Sequence, residues 1–260
     1  MEARIRELEA EIQKEIARAQ SLGAQIGGET TASPPQPAVS NNEAVVEETA
    51  AISEAAEVVV QQNYELVESK MKSLKDKATS VSFEPKLEDG LYLVGVGVRK
   101  KAIINVYAVA MYSSPPTLEA LSPFAKGKQK KDAQTALRNS AREVNTSFVL
   151  EMTFKADAET IAGAIAEGVK PRYSGSPSDV KELETLIIEG VKSKGGQATK
   201  GTIFRFDCTK QGIKVSVDGN DQGSANFDGI GSALVDVFMD DKAVSPQLVD
   251  SCLDTWSGVL

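Results

Sequence analysis

The chain has 260 residues, 41% hydrophobic and 25% charged, which fits one sizeable globular domain with appendages and excludes collagen-like, wholly disordered and disulfide-scaffold classes. No run approaches the roughly eighteen apolar residues of a bilayer span, so a soluble protein is expected. Against 29 Lys and Arg stand 37 Asp and Glu, a net charge of −8, which argues against nucleic acid as a partner.

Residues 1–26 open with an amphipathic helix, in which Ile5, Leu8, Ile12, Ile16 and Ala19 recur at three- and four-residue steps. This segment is acidic, without the Arg- and Ser-rich bias of a transit peptide or the apolar stretch of a signal peptide. Residues 27–42 (centred on GGETTASPPQPAVSNN) have linker composition and are expected to be disordered or extended. Helical spacing returns over 43–80, where Val60, Tyr64, Val67, Met71 and Leu74 follow a coiled-coil seam. Both self-association and docking on the chain's own domain remain open for it. Lys70, Lys72, Lys75 and Lys77 complement the negative end of that helix. Residues 1–80 hold 8 basic and 14 acidic side chains, so most of the negative charge sits at the front.

Residues 81–260 form the second region, where the texture changes to strands: 91–98 (LYLVGVGV), 103–112 (IINVYAVAMY), 147–154 (SFVLEMTF), and a hairpin of 202–208 with 212–218 turning at Lys210–Gln211. Helical patterns occupy 158–169, 178–191, 230–239 and 245–256, the last opened by a Ser-Pro cap. Strands clustered ahead of helices, without strict βαβ alternation, indicate an α+β fold with an antiparallel sheet and helices packed on one face, preceded by N-terminal helices.

Histidine is absent, which deletes Ser-His-Asp and Cys-His triads and His-bearing metal sites. The two cysteines, Cys208 and Cys252, lie in apolar patterns and read as buried thiols. No metal site, cofactor motif or catalytic group is expected. The glycine-rich stretches at 195–196 and 218–231 lack a phosphate-loop form and read as turns. The lysines at 126, 128, 130 and 131 read as a solvated loop.

Period two places Tyr92, Val94, Val96 and Val98 on one strand face and Leu93, Gly95, Gly97 and Arg99 on the other. Glycines inside a strand mark a close approach, so this spacing keeps room on the face where the Arg99 guanidinium points. An enclosed guanidinium needs an anion, because it cannot discharge by losing its proton. That anion could be a ligand; a fixed salt bridge to the domain's own carboxylates, or a tip in water, would satisfy it equally. Tyr107 lies eight positions on, and a hairpin turning near Ile103 would set the two opposite each other as a fork for one carboxylate. Tyr107 could also be a core tyrosine with a satisfied hydroxyl.

The run GVGVRKKAIINVYAVAMY at 95–112, together with SVDGNDQGSANFDGIGSALVDVFMDDKAVSP at 216–246, resembles the chalcone isomerase fold family over about residues 83–260. The resemblance implies an open-faced sandwich with a ligand cleft between sheet and helices. Catalytic members close a flavanone ring with an Arg, a strand Thr, a helix Tyr and Asn, and a later Ser or Thr. Carried over by position, the Arg is Arg99 and the strand Thr is replaced by Tyr107. The helix pair falls on Ile161 and Gly168, and the last falls at or near Gly231, beside Ser232. Most of that set is missing, and the ring closure needs donors aimed at a developing oxyanion.

The fatty-acid-binding branch keeps only the Arg and the Tyr of the VYA motif, and so does this chain. The resemblance therefore implies a non-catalytic protein whose ligand is a fatty acid or similar apolar carboxylate, held by Arg99 and Tyr107, without cofactor. Relatives of that branch work in the plastid stroma, which the resemblance extends to this chain, with the cytoplasm as the other location. Two alternatives stay open: a chalcone-flavanone-type isomerase with a rearranged site, and an interaction or scaffold protein whose N-terminal helices recruit partners or form homo-oligomers.

Overall fold

The computed structural model describes residues 72–121, 123–124 and 129–256. The helices expected over 1–26 and up to residue 71, the linker, and the oligomerisation assigned to them lie outside the described residues. Leu74, the last apolar position of the expected seam, belongs to a short strand instead: β1 (Leu74–Lys75) pairs antiparallel with β2 (Ser82–Phe83). Lys75 therefore lies in a strand rather than at a helix end.

Two ten-residue strands follow, β3 (Tyr92–Lys101) and β4 (Ile104–Ser113), then a short helix α1 (Pro115–Glu119) and the longer α2 (Lys130–Glu143). Lys130 and Lys131 thus open a helix rather than a loop. Strand β5 (Thr146–Met152) precedes a small ladder of β6 (Ala156–Asp157) with β7 (Gln197–Ala198), between which run the helices α3 (Ala158–Val169) and α4 (Pro177–Lys192). Strands β8 (Ile203–Thr209), β9 (Gly212–Val217) and β10 (Asn220–Ala225) form a meander, closed by α5 (Ile230–Met239) and α6 (Pro246–Trp256). Strand β10 occupies part of the glycine-rich stretch expected to be turns. Gly223, at a φ of 104°, sits at its register shift.

The main sheet is fully antiparallel, in the order β10-β9-β8-β5-β4-β3. Alternation along the strands sends Phe148, Leu150, Met152, Phe204, Phe206, Val215 and Val217 into one core shared with helices α2 to α6. Phe148 stacks on Phe238 of α5 at 4.4 Å between ring centroids. On the opposite face, segment 74–91 covers Leu93, Val96, Ala108, Ala110 and Tyr112 with Val81, Phe83 and Leu91. Farther along that face the strands stay polar, with Arg205 paired to Asp207 at 2.7 Å and also to Asp89. This is the expected open-faced α+β sandwich.

Two of the helices start on side-chain caps. Asp157 caps α3 by accepting from Thr160 N at 2.7 Å, and Ser176 with Asp179 forms a capping box on α4. Asp236 of α5, only 5% exposed, accepts a two-pronged bond from Arg138 of α2, Nε and Nη2 both at 2.7 Å. Removing one member of an enclosed pair strands the other. Asp236→Ala is expected to cost about 2 kcal/mol, less than a fully buried pair because Arg138 keeps some water contact. Calorimetry should show a fall in Tm of roughly 4–8 °C.

Candidate functional site

Strands β3 and β4 form a hairpin with Lys101 paired to Ile104 across the two-residue turn Ala102–Ile103. The turn contains no Gly, Asn or Asp; Ala102 itself takes the left-handed conformation, φ 53°. From there the register sets Arg99 directly opposite Tyr107, as the sequence spacing required. A register shift between Arg99 and Lys100 leaves Val106 as the extra residue. Its carbonyl accepts from both Thr153 N at 3.0 Å and Phe154 N at 3.2 Å, which ties the irregular spot to the end of β5.

A second register shift, between Leu93 and Gly95, corrects the simple alternation expected for β3. Leu93 joins Val96 on the face covered by segment 74–91, while Tyr92 and Val94 turn to the helices. Arg99 and Tyr107 still share the helix side, as do Gly95 and Gly97. The reason for those glycines differs from the expected one. A Cβ at Gly95 would stand 2.5 Å from Cys252 N, and one at Gly97 would stand 2.4 Å from Leu248 N. The close approach they permit is that of α6, not of a ligand.

Arg99 lines a cleft of about 420 Å³ between the hairpin and α3. Val106, Met152, Ile161 and Ile165 line it with apolar surface, alongside Arg99 and Tyr107. Helix α3 keeps the entrance open through Gly163, around which there is free space, and Ala164. Arg99 is half-buried. Among the described residues no carboxylate lies within ion-pair distance of it; Glu159 on the cleft rim pairs instead with Lys192 at 3.1 Å. The fixed salt bridge that could have satisfied Arg99 is therefore absent among those residues.

Tyr107 is 6% exposed. Its hydroxyl makes no hydrogen bond among the described residues, yet it is not sealed off, since among those residues no fully enclosed side-chain polar atom lacks a partner. It opens on the cleft. Burial pushes its pKa up to about 12 against the opposing pull of the Arg99 charge, so the phenol keeps its proton and acts as a donor. A guanidinium and a phenol donor side by side, beside the apolar side chains of a cleft whose lining also includes Lys101, Thr160, Glu159 and Glu167, can hold one carboxylate with its tail along the hydrocarbon.

Ile161, Gly168 and Gly231 supply no side-chain donor, and Ser232 is not among the residues lining this cleft. Ile161 presents hydrocarbon to the cleft. A Cβ at Gly168 would meet Val237 Cγ1 at 3.1 Å, and one at Gly231 would stand 2.1 Å from Thr209 O, so backbone contact excludes a side chain at Gly231. The sequence reading missed Met152, Val106 and Ile165. Met152 was within reach, because it continues the Phe148, Leu150 alternation and pairs with Tyr107.

Cys208 and Cys252 are free and buried, and burial pushes both thiols well above their usual range. Among the described residues no group of His, Cys, Asp or Glu is placed to hold a metal, and no helix is long and apolar enough to cross a membrane. A larger cleft of about 510 Å³ between β1 and α6, lined by Asp76, Lys77, Asp250 and Asp254 among others, contains neither Arg99 nor Tyr107.

The family model described as chalcone isomerase-like matches residues 76–253. Among solved structures, the crystal structure of a fatty-acid binding protein from Arabidopsis thaliana superposes with a TM-score of 0.59 at 18% identity, covering 72% of this chain and 98% of that one. At that identity the likeness is one of fold. No curated protein matches the chain by sequence.

Proposed function

The chain belongs to the chalcone isomerase-like family, and from that premise we propose that it binds a fatty acid or similar apolar carboxylate without transforming it. The observation that carries this reading is the half-buried Arg99, free of any carboxylate partner among the described residues, directly opposite the unbonded hydroxyl of Tyr107. A half-buried guanidinium with no carboxylate at ion-pair distance among those residues has its donors available for an incoming anion. In this reading Arg99 pairs the carboxylate, Tyr107 donates to it, and the tail lies along Ile161, Ile165 and Met152. The cleft volume is within the roughly 300–1,000 Å³ of small-molecule sites. A location in the plastid stroma is part of the same proposal and rests on the branch resemblance alone.

The test is calorimetric titration of the full chain with dodecanoate and hexadecanoate across pH. Affinity is expected to hold steady from about pH 6 to 9, because the chain has no histidine and Tyr107 titrates only near about 12. It should fall as pH drops through the ligand's own carboxyl range, near about 4.5, where the ligand loses its charge. Absence of binding at neutral pH, or equal affinity for the corresponding alcohols, would refute the reading.

A further inference from the structure

Four large hydrophobic side chains stand out on the described surface: Ile103 at 97% exposure, Phe154 at 50%, Ile104 at 42% and Ile203 at 39%. All four lie at one end of the main sheet. Ile103 is at the tip of the β3–β4 turn and Ile104 follows it. Phe154 is bonded through its backbone to Val106 at the hairpin base, and Ile203 starts β8 opposite Glu151 near the end of β5.

Exposed lysines gather at the same end: Lys100 and Lys101 on the hairpin, Lys155 beside Phe154, and Lys200 ahead of Ile203. None of them has a carboxylate within ion-pair distance among the described residues, in a chain whose net charge is −8. Of the acidic groups nearby, Glu151 feels Lys200, Glu159 is held by Lys192, Asp157 caps α3, and Asp218, which accepts from Ile203 N at 2.7 Å, is paired with Lys194 at 2.8 Å. Arg99 and Lys101 belong both to this end and to the cleft.

Neither the turn nor the core explains Ile103. A two-residue turn favours Gly, Asn or Asp, and a side chain almost wholly in water contributes nothing to packing. Exposed apolar groups at a turn tip and at strand ends, beside lysines without an ion-pair partner among the described residues, match an interfacial surface, with hydrocarbon in the headgroup layer and ammonium groups on anionic lipid.

We propose that this end of the sheet docks on an anionic lipid bilayer, with Ile103, Ile104 and Phe154 entering the headgroup region and Lys100, Lys101, Lys155 and Lys200 meeting acidic headgroups. Docked this way, the entrance to the Arg99–Tyr107 cleft faces the bilayer. The proposal extends the lipid-binding reading but does not depend on it, since the surface can dock whether or not the cleft is filled.

The test is sedimentation of the full chain with phosphatidylcholine vesicles, with and without phosphatidylglycerol, alongside dodecanoate titration in solution. The wild type should bind the anionic vesicles, less so as salt rises. The variants Ile103→Ser/Phe154→Ser and Lys100→Glu/Lys155→Glu/Lys200→Glu should each lose at least about tenfold in partitioning, with circular dichroism and dodecanoate affinity as in the wild type. Equal binding to neutral vesicles, or unchanged anionic binding by both variants, overturns the docking. So does a dimer that dissociates on Ile103→Ser without vesicle binding, which would assign the tip to a second copy. Failure of dodecanoate to bind, with vesicle binding still sensitive to these substitutions, refutes the cleft reading and leaves the docking standing.

Discussion

Arg99→Ala is expected to lower affinity for dodecanoate by between about ten- and a hundredfold while leaving the fold intact. A hydrogen bond to a charged group contributes roughly 1.5–3 kcal/mol, and each 1.4 kcal/mol is about tenfold in affinity. The fold is spared because Arg99 neutralises no carboxylate among the described residues, so Tm should move by no more than about 2 °C. Arg99→Lys retains the charge but loses the planar fork, and should fall in between. Tyr107→Phe removes one neutral donor and should cost about three- to tenfold. Calorimetry with the same batch of protein checks all three. Unchanged affinity in Arg99→Ala would remove the guanidinium from the site.

Gly97→Ala is expected to destabilise the domain by about 3–5 kcal/mol. The new methyl would lie 2.4 Å from Leu248 N and 2.7 Å from both Leu248 Cα and Ser245 Oγ, so it is α6 as a body that must retreat. Overpacking of this kind costs about 1–3 kcal/mol. Retreat also breaks the bonds from Ser245 Oγ to Val98 O and from Val96 N to Ser251 Oγ, both 3.0 Å, at about 1 kcal/mol each. Against a total stability of roughly 5–15 kcal/mol, that should lower Tm by about 10 °C or more. Gly163→Ala is the control: its Cβ meets open space, and helix propensity predicts a gain of somewhat under about 1 kcal/mol. A wild-type Tm for Gly97→Ala would show that α6 does not sit against β3 as described.

Much of the sheet was legible because its strands carry their own alternation. The FVLEM and IFRFDC runs put Phe148, Leu150, Phe204 and Phe206 on one face by period two alone, and helices α3 and α5 fall at the expected boundaries. Strand β10 was hidden because NDQGSA has no branched or aromatic residue to mark it. It pairs because β9 offers an edge, so its cause lies in its neighbour. Helix α2 was hidden for a related reason: among fourteen residues it buries only Ala133, Leu137 and Ala141, too thin a stripe to read.

The candidate pair was legible as a spacing, and the register bore that spacing out. The Leu93–Gly95 irregularity was not legible, nor was the true neighbour of the two glycines. The second depends on a helix some 150 positions away in the chain, whose serines bond across separations of 147 and 155 residues.

Strand β3 is an outer strand of the sheet, and Ser245 and Ser251 occupy the bare amide and carbonyl positions on its rim. Synthesis runs from the N-terminus, so β3 leaves the ribosome long before the segment that shields it. Throughout that interval its rim offers unpaired groups to any extended peptide nearby. A product truncated before Ser245 would keep that adhesive border permanently, and would be a substrate for chaperones and proteases rather than a shortened working protein.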